Sequence, residues 1–359
     1  MLPEKLTTDF KRFSTRAKWV WPAMAVVLPL LFFCAFLLNK SLWIKLGMEP
    51  MDPVYADTQA VLSSVDARAA GADPYALPNP YDPFGRPHVY GPWWLELHRL
   101  GISSADRAWI GTVLFLSSIM VMVWLCRPAG FREMLATVLL VASPPFMLAY
   151  ERGNNDLVIF LMLAAGGFIL SGVAWWRTAA AAFIVLVAAA LKLYPLAAAP
   201  VLLAKGGRWK GWLAVVAVGA GFLVVRLVYN EDFVRAFAEM PKPESSTTYG
   251  FRVFELIWGT PGMLLGWFCG GCAAGIAGWA FVAWRSLRDK LCLSYLDYYW
   301  VGGAACWVLC YFVNTNYAYR AVLLVLPISV WLRQASAKNS PGRVPAACAF
   351  GLSIILFWI

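Results

Sequence analysis

The chain has 359 residues, 61% of them hydrophobic and 14% charged, with 19 Trp and a mean hydropathy of +0.64. A soluble domain carries about a quarter charged residues, so a soluble fold is excluded, and repeated apolar runs near 20 residues point to a polytopic all-α membrane protein. The net charge of +10 does not mark a nucleic-acid binder, because Lys and Arg sit in short clusters beside apolar runs, as cytoplasmic loops require.

The N-terminal stretch "MLPEKLTTDFKRFSTRAK" is basic, and the run that follows it is long enough to remain in the membrane, so no cleavable leader is expected. Nine full spans are predicted, at 19–38, 107–126, 133–150, 157–176, 210–229, 262–284, 296–313, 317–333 and 344–359. Lys5, Lys11, Arg12, Arg16 and Lys18 place the N-terminus in the cytoplasm. Alternate crossing then puts Arg127 and Arg132, Arg177, Arg285 with Arg288 and Lys290, and Arg333 with Lys338 and Arg343 on the same side. This holds only if residues 178–204 do not cross. That stretch has Arg177 at one end, Lys205, Arg208 and Lys210 at the other, and Pro195 in its middle. It is therefore expected to be a re-entrant hairpin of two short helices meeting at "KLYP", with Lys192 near the tip. The eight Cys lie mostly within or beside spans, which argues against a disulfide framework. "CGGC" at 269–272 fits helix packing through small residues.

Two long segments, 40–106 and 230–261, and two short turns, 151–156 and 314–320, converge on the extracytoplasmic face. In the first, "MDPVYADTQAVLSSVDARAAGADPY" reads as a helix lying on the membrane, with Asp52 as N-cap, Pro53 at the first helical position and Gly71 as the stop. Val54, Val61, Leu62, Val65 and Ala69 form its apolar face. Asp57 lies at the edge of that face, about 40° from Val61, and is either solvated or turned into a cavity, whereas Asp66 points away. The Pro- and aromatic-rich "PYALPNPYDPFGRPHVYGPWW" suits a lid anchored in the interface. His88 and His98, the only histidines, match no metal spacing, so no metal site is expected and His88 is at most a substrate contact.

Ionisable groups at membrane depth are costly and are functional candidates by default. Lys192, beside Tyr194, is either a cation for an anionic headgroup or a side chain reaching to the interface. Arg320 in "AYRAVLLVLPI" and Arg252 in "SSTTYGFRVF" add two guanidinium forks suited to phosphate. The turn "AYERGNNDLVIF" places Glu151, Arg152, Asn154, Asn155 and Asp156 between apolar runs, as a helix cap with an ion pair or as the wall of a site.

Taken together these stretches resemble the membrane glycosyltransferases of the GT-C fold, in particular the polyprenyl-phosphate-mannose-dependent mannosyltransferases and their bacterial relatives. The resemblance covers roughly residues 45–330. It rests on "GADPY", "NPYDPFGRPHVYGPWW", "ERGNNDLVIF", "ALKLYP" and "NYAYRAVLLVLPI" in family order. Two departures are visible: "YADTQAV" replaces the usual Asp-Phe motif, and Gly91 stands where Pro is usual. The resemblance implies an inverting, metal-independent transfer of a sugar from a polyprenyl-phosphate donor to a glycan or lipid-linked acceptor, with no cofactor, at the extracytoplasmic face of the plasma (inner) membrane. It assigns Asp57 as base, with Asp52 and Asp156 as alternatives. Lys192, Tyr194, Arg320 and Arg252 become phosphate ligands. Glu151, Arg152, Asn154, Asp156, His88, Tyr249 and Tyr319 become sugar or acceptor contacts. The competing expectations are a transporter or flippase for an anionic lipid or small solute, and a scaffold that binds another membrane subunit.

Overall fold

The computed structural model describes residues 4–172, 174–204, 208–240, 248–249, 253–254, 258–272, 275, 295–312, 316–337 and 342–358. The helices in chain order are α1 (Glu4–Leu38), α2 (Ser41–Lys45), α3 (Ala56–Ala69), α4 (Arg107–Cys126), α5 (Phe131–Val141), α6 (Pro144–Arg152) and α7 (Asp156–Leu170). They continue with α8 (Trp175–Leu191), α9 (Arg208–Val228), α10 (Asn230–Ala238), α11 (258–272), α12 (Tyr295–Phe312), α13 (Val325–Ser336) and α14 (Arg343–Trp358). Longer 3-10 segments occupy Pro92–Leu100, Tyr194–Ala204 and Ala318–Leu324. The one strand pairing among the described residues joins Thr248–Tyr249 to Asn316–Tyr317, antiparallel.

Among the described residues three helices are long and apolar enough to cross a membrane, Trp19–Leu38, Ser104–Cys126 and Trp209–Val228, or four if α5 and α6 count as one bent span. Several of the expected nine are therefore not single straight helices. The expected span 133–150 breaks after Val141, where Ser143 is extended, Pro144 and Pro145 open α6, and the axis bends by 55°. The expected span 157–176 stops at Leu170, and 317–333 begins as a 3-10 segment before α13. Residues 273–274 and 276–284 of the expected span 262–284 lie outside the described residues. In 178–204 the first arm is the 17-residue α8 and the second is the 3-10 segment containing Pro195 and Pro200, not a second α-helix. Both Pro remove amide donors, which suits tighter turns. This second arm packs back alongside α8: Ala198, Val201 and Leu202 share a small void with Ala181 and Val185.

The core is built where small residues let helices touch. A Cβ on Gly167 of α7 would come within 2.3 Å of the Tyr299 ring of α12, and the Tyr299 hydroxyl donates to the Ala164 carbonyl at 3.1 Å. On α12, a Cβ on Gly303 would meet Pro327 of α13 at 2.6 Å. At the other side Phe33 of α1 packs on Phe115 of α4, with ring centroids 4.4 Å apart, and meets Tyr150 of α6 edge-on.

Helix α3 is buried on more of its faces than its apolar pattern alone suggests. Eleven of its 14 residues are buried, because the Pro92–Leu100 segment and the Ser104–Asp106 turn cover the face that its polar residues had suggested was solvated. Those polar groups are satisfied internally. Gln59 donates to Ser63 Oγ at 2.8 Å and accepts from Arg107 at 3.1 Å, and Asp66 accepts the Ser104 amide at 3.2 Å. Asp52 is not the N-cap. It is exposed and pairs with Lys40 at 3.0 Å, while the cap position falls to Tyr55, in the left-handed region at φ 65°. Gly71 does follow the last turn, at φ +71°.

Gly91 fixes the loop against the end of α8. Its amide donates to the Leu191 carbonyl at 2.9 Å, and a Cβ would lie 1.9 Å from the Ala190 carbonyl oxygen. Only a residue with an N–H and no side chain fits, which accounts for the departure from Pro here. We expect Gly91→Pro to destabilise the protein by about 2 kcal/mol or more, because the Leu191 carbonyl loses its donor and the ring meets backbone. A thermal melt in detergent checks this; a midpoint within a degree of wild type would contradict it.

Candidate active site

Asp57 lies in the first turn of α3 and is 8% exposed. The Asn154 amide donates to its Oδ2 at 2.5 Å, and Arg86 Nη1 stands 3.5 Å from its Oδ1. Arg86 is fixed in turn by Asp82, to which its Nε and Nη2 donate at 3.0 Å each, and by the Ala56 carbonyl at 2.7 Å. The turn that carries Asn154 is equally constrained. Gly153 is at φ +55°, and Thr58 Oγ1 donates to its carbonyl at 2.6 Å, leaving 2.5 Å to any added Cβ.

Asn154 links this carboxylate to a second one. Its Oδ1 accepts the backbone amide of Asp156 at 2.8 Å. Asp156 is 0% exposed and holds Lys192 Nζ on Oδ1 at 2.5 Å. The Tyr194 hydroxyl donates to the same oxygen, and Arg320 Nε stands 3.6 Å from Oδ2. Asp156 opens α7 and Lys192 follows the last residue of α8, so each charge sits at the helix end whose dipole favours it. Lys192 Nζ also lies 5.1 Å from the Tyr90 ring centroid, and Arg320 lies over Tyr194 at 5.5 Å. Lys192 is therefore a buried, paired cation and does not reach out to an interface.

A cavity of about 450 Å³ opens beside these groups. Lys192, Arg226 and Arg320 line it with no acidic residue among its described walls, together with Tyr90, Tyr317 and Tyr319. Tyr317 and Tyr319 stack with centroids 5.4 Å apart. Phe222 of α9 and Phe233 and Phe237 of α10 form the apolar wall, and beyond it Val224, Leu227 and Val234 are exposed on these two helices. Removal of water around the half-buried Tyr90, and the nearby Asp57 carboxylate, hold its phenol protonated, well above its ordinary range. The cavity presents a cationic wall and an apolar wall along α9 and α10; Asp57 is not among its walls but lies near enough to the lining residues Tyr90 and Tyr319 to act on them electrostatically.

Several sequence expectations are redirected. Glu151 is 1% exposed and faces the segment before α3, accepting the Met51 amide at 2.7 Å and pairing with Arg152 at 3.1 Å, so neither residue lines the cavity. Asn154 and Asp156 are buried under Asp57 and the cations, where they organise the site from behind. His88 is 1% exposed, its ring between Tyr75 and Tyr90 and its Nε2 facing the Gly91 carbonyl at 3.3 Å, so it packs within the loop and does not line the cavity. Arg252 and the Tyr249 side chain lie outside the described residues. Arg86, Tyr90 and Arg226 were missed. The Asp82–Arg86 spacing in "YDPFGR" and an Arg inside the apolar run 210–229 were the available signals.

Burial pushes the His88 imidazole down to about 4. The folded protein thus holds it neutral while the unfolded chain, near 6.5, takes up a proton. Its contribution is complete above pH 6.5 and is lost as pH falls toward 4, by roughly 3 kcal/mol in all. We expect the stability of wild type to fall over that window and His88→Gln to flatten this part of the profile. An equally steep profile in the variant would assign the loss elsewhere.

The described residues thus form a predominantly helical membrane protein in which two carboxylates bridged by Asn154 stand beside a cationic, aromatic cavity. The chain belongs to glycosyltransferase family 87, whose family model matches residues 95–304. That match includes Glu151–Asp156, Lys192, Tyr194 and Arg226, while Asp57, Arg86 and Arg320 lie outside it. No curated protein and no solved structure matches the chain.

Proposed function

We propose that this glycosyltransferase moves a sugar, with inversion, from a polyprenyl-phosphate donor to a lipid-linked or glycan acceptor at the extracytoplasmic face. The observation that carries the reading is the cavity itself: three basic side chains and no acid among its described walls, beside the exposed apolar side chains of α9 and α10. A lipid phosphate would lie against Lys192 and Arg320, with Tyr194 behind them and its tail along Phe222 and Phe233. The acceptor hydroxyl would approach from the Asp57 side. As its oxygen bonds to the anomeric carbon, its proton passes to Asp57. The bond from that carbon to the phosphate oxygen breaks, and the electron pair remains on the phosphate, stabilised by the cations. Tyr90, Tyr317 and Tyr319 would supply stacking faces and hydroxyls for the sugar, and Arg226 a further cation at the lipid side. No metal or cofactor enters these steps. The family resemblance favours a hexose, mannose first, as the group moved.

The test incubates purified protein with a panel of polyprenyl-phosphate sugars and scores donor consumption for wild type, Asp57→Asn and Lys192→Ala. One donor should be consumed by wild type alone. Consumption of that donor at wild-type rate by both variants would refute the site. Movement of the lipid between leaflets with no donor consumed would favour a flippase.

A further inference from the structure

A second, larger groove of about 680 Å³ separates α8 from α9 at the ends where both helices begin. Trp175, Phe183 and Leu186 of α8 face Trp209, Lys210 and Leu213 of α9 across it, so the two helices run parallel. Toward the candidate active site the groove closes where Gly221 meets Leu186, leaving 2.9 Å to any Cβ added on the glycine. The open end is marked by Trp175 and Trp209, both largely exposed, and by Lys210 over the Trp209 ring at 5.5 Å. Arg177, in the same turn of α8, is not among the groove's walls; its guanidinium lies over Trp176 at 5.3 Å and beside Gly172. No Asp or Glu occurs between Asp156 and Glu231, so nothing in these two helices opposes their positive charge.

Length discriminates between occupants. From Trp175 to Leu186 an α-helix rises roughly 16 Å, which is half of a hydrocarbon core of about 30 Å. The groove is thus one leaflet deep, opens at an interface marked by Trp and Lys, and ends before the cavity that holds Lys192 and Arg320. A long polyprenyl chain anchored at that cavity does not fit these dimensions; one acyl chain does. Basic pockets between membrane helices on the cytoplasmic side favour anionic headgroups. We propose that the α8–α9 groove is a binding site for an anionic phospholipid of the leaflet where these helices begin, with one acyl chain in the groove and the phosphate at Lys210.

The experiment equilibrates the full-length protein in mild detergent with equimolar phosphatidylglycerol and phosphatidylcholine and counts retained lipid by native mass spectrometry. Wild type should retain phosphatidylglycerol at least fivefold over phosphatidylcholine. Lys210→Gln should weaken that retention about fivefold, the ~1 kcal/mol of one basic residue at an anionic surface. Ala217→Phe, at an exposed position lining the groove, should displace the lipid without entering the core, so it tests the groove even if the Lys210 variant folds poorly. Equal retention of the two lipids, unchanged retention in both variants, or displacement of phosphatidylglycerol by added polyprenyl phosphate would each overturn the proposal. Because the readout is lipid retention and not sugar transfer, failure here leaves the proposed reaction untouched.

Discussion

Asp57→Asn is expected to lower turnover of the accepted polyprenyl-phosphate sugar by about 10²–10⁴-fold, the contribution typical of a positioned general base, while donor binding stays within a few-fold of wild type. The substitution keeps the shape of the side chain. Its carbonyl oxygen can still accept from Asn154 or face Arg86, though it cannot satisfy both as the carboxylate does at 2.5 and 3.5 Å. A small stability loss, on the order of 1 kcal/mol, should therefore accompany a large kinetic one. The two are separable by comparing thermal midpoints with turnover at saturating donor. Turnover within a few-fold of wild type would remove Asp57 from the chemistry. Neither alternative carboxylate then replaces it readily, since Asp52 is exposed and tied to Lys40 and Asp156 is buried under Lys192, Tyr194 and Arg320.

Lys192→Met should do two things at once. It leaves Asp156, 0% exposed, without its nearest cation, and breaking a buried pair from one side costs about 3–5 kcal/mol. It also strips the cavity of an ammonium, which should lower turnover by about 10²-fold or more. Adding Asp156→Asn to Lys192→Met removes the stranded charge, so at least roughly half the lost stability should return. The activity should not, because the phosphate still lacks its cation. Recovery of both stability and turnover in the double variant would make the pair purely architectural and would transfer phosphate recognition to Arg320 and Arg226.

The membrane class, the three long spans and the polar turn at 149–160 were legible because each rests on composition over many residues or on a charge placed where charge is costly. Lys192 was found in that way. Its partner was not, because Lys192 and Asp156 are 36 positions apart and meet only when α7 and α8 pack. Asp156 in sequence is indistinguishable from a helix cap, and in space it is both the helix start and the counter-ion. Helix α3 was misjudged for a related reason. Amphipathicity reports which face avoids water, but Gln59, Ser63 and Ser64 are buried by satisfying one another and their own backbone. Such a face reads as solvated. Pro195 was visible as a break, though only packing made it part of a 3-10 segment, whereas the expected span 133–150 ran through Pro144, where the axis bends by 55°.

The Asn154 bridge between the two carboxylates also bears on how the chain is made. Asp57 and Asp156 both leave the ribosome before Lys192, Arg226 and Arg320. During synthesis, then, the acidic half of the site is complete while most of its cations have yet to be translated, and of the groups at the site only Arg86 precedes Asp156 among the basic partners described. A nascent chain halted between α7 and α8 would hold an uncompensated carboxylate at the head of an apolar helix. Lys192 supplies the nearest counter-charge to that carboxylate in the folded protein, and the amide of Gly91 meets the end of α8 beside it. Of the three cations that line the cavity, Lys192 is thus the first to be translated, and all three follow both carboxylates.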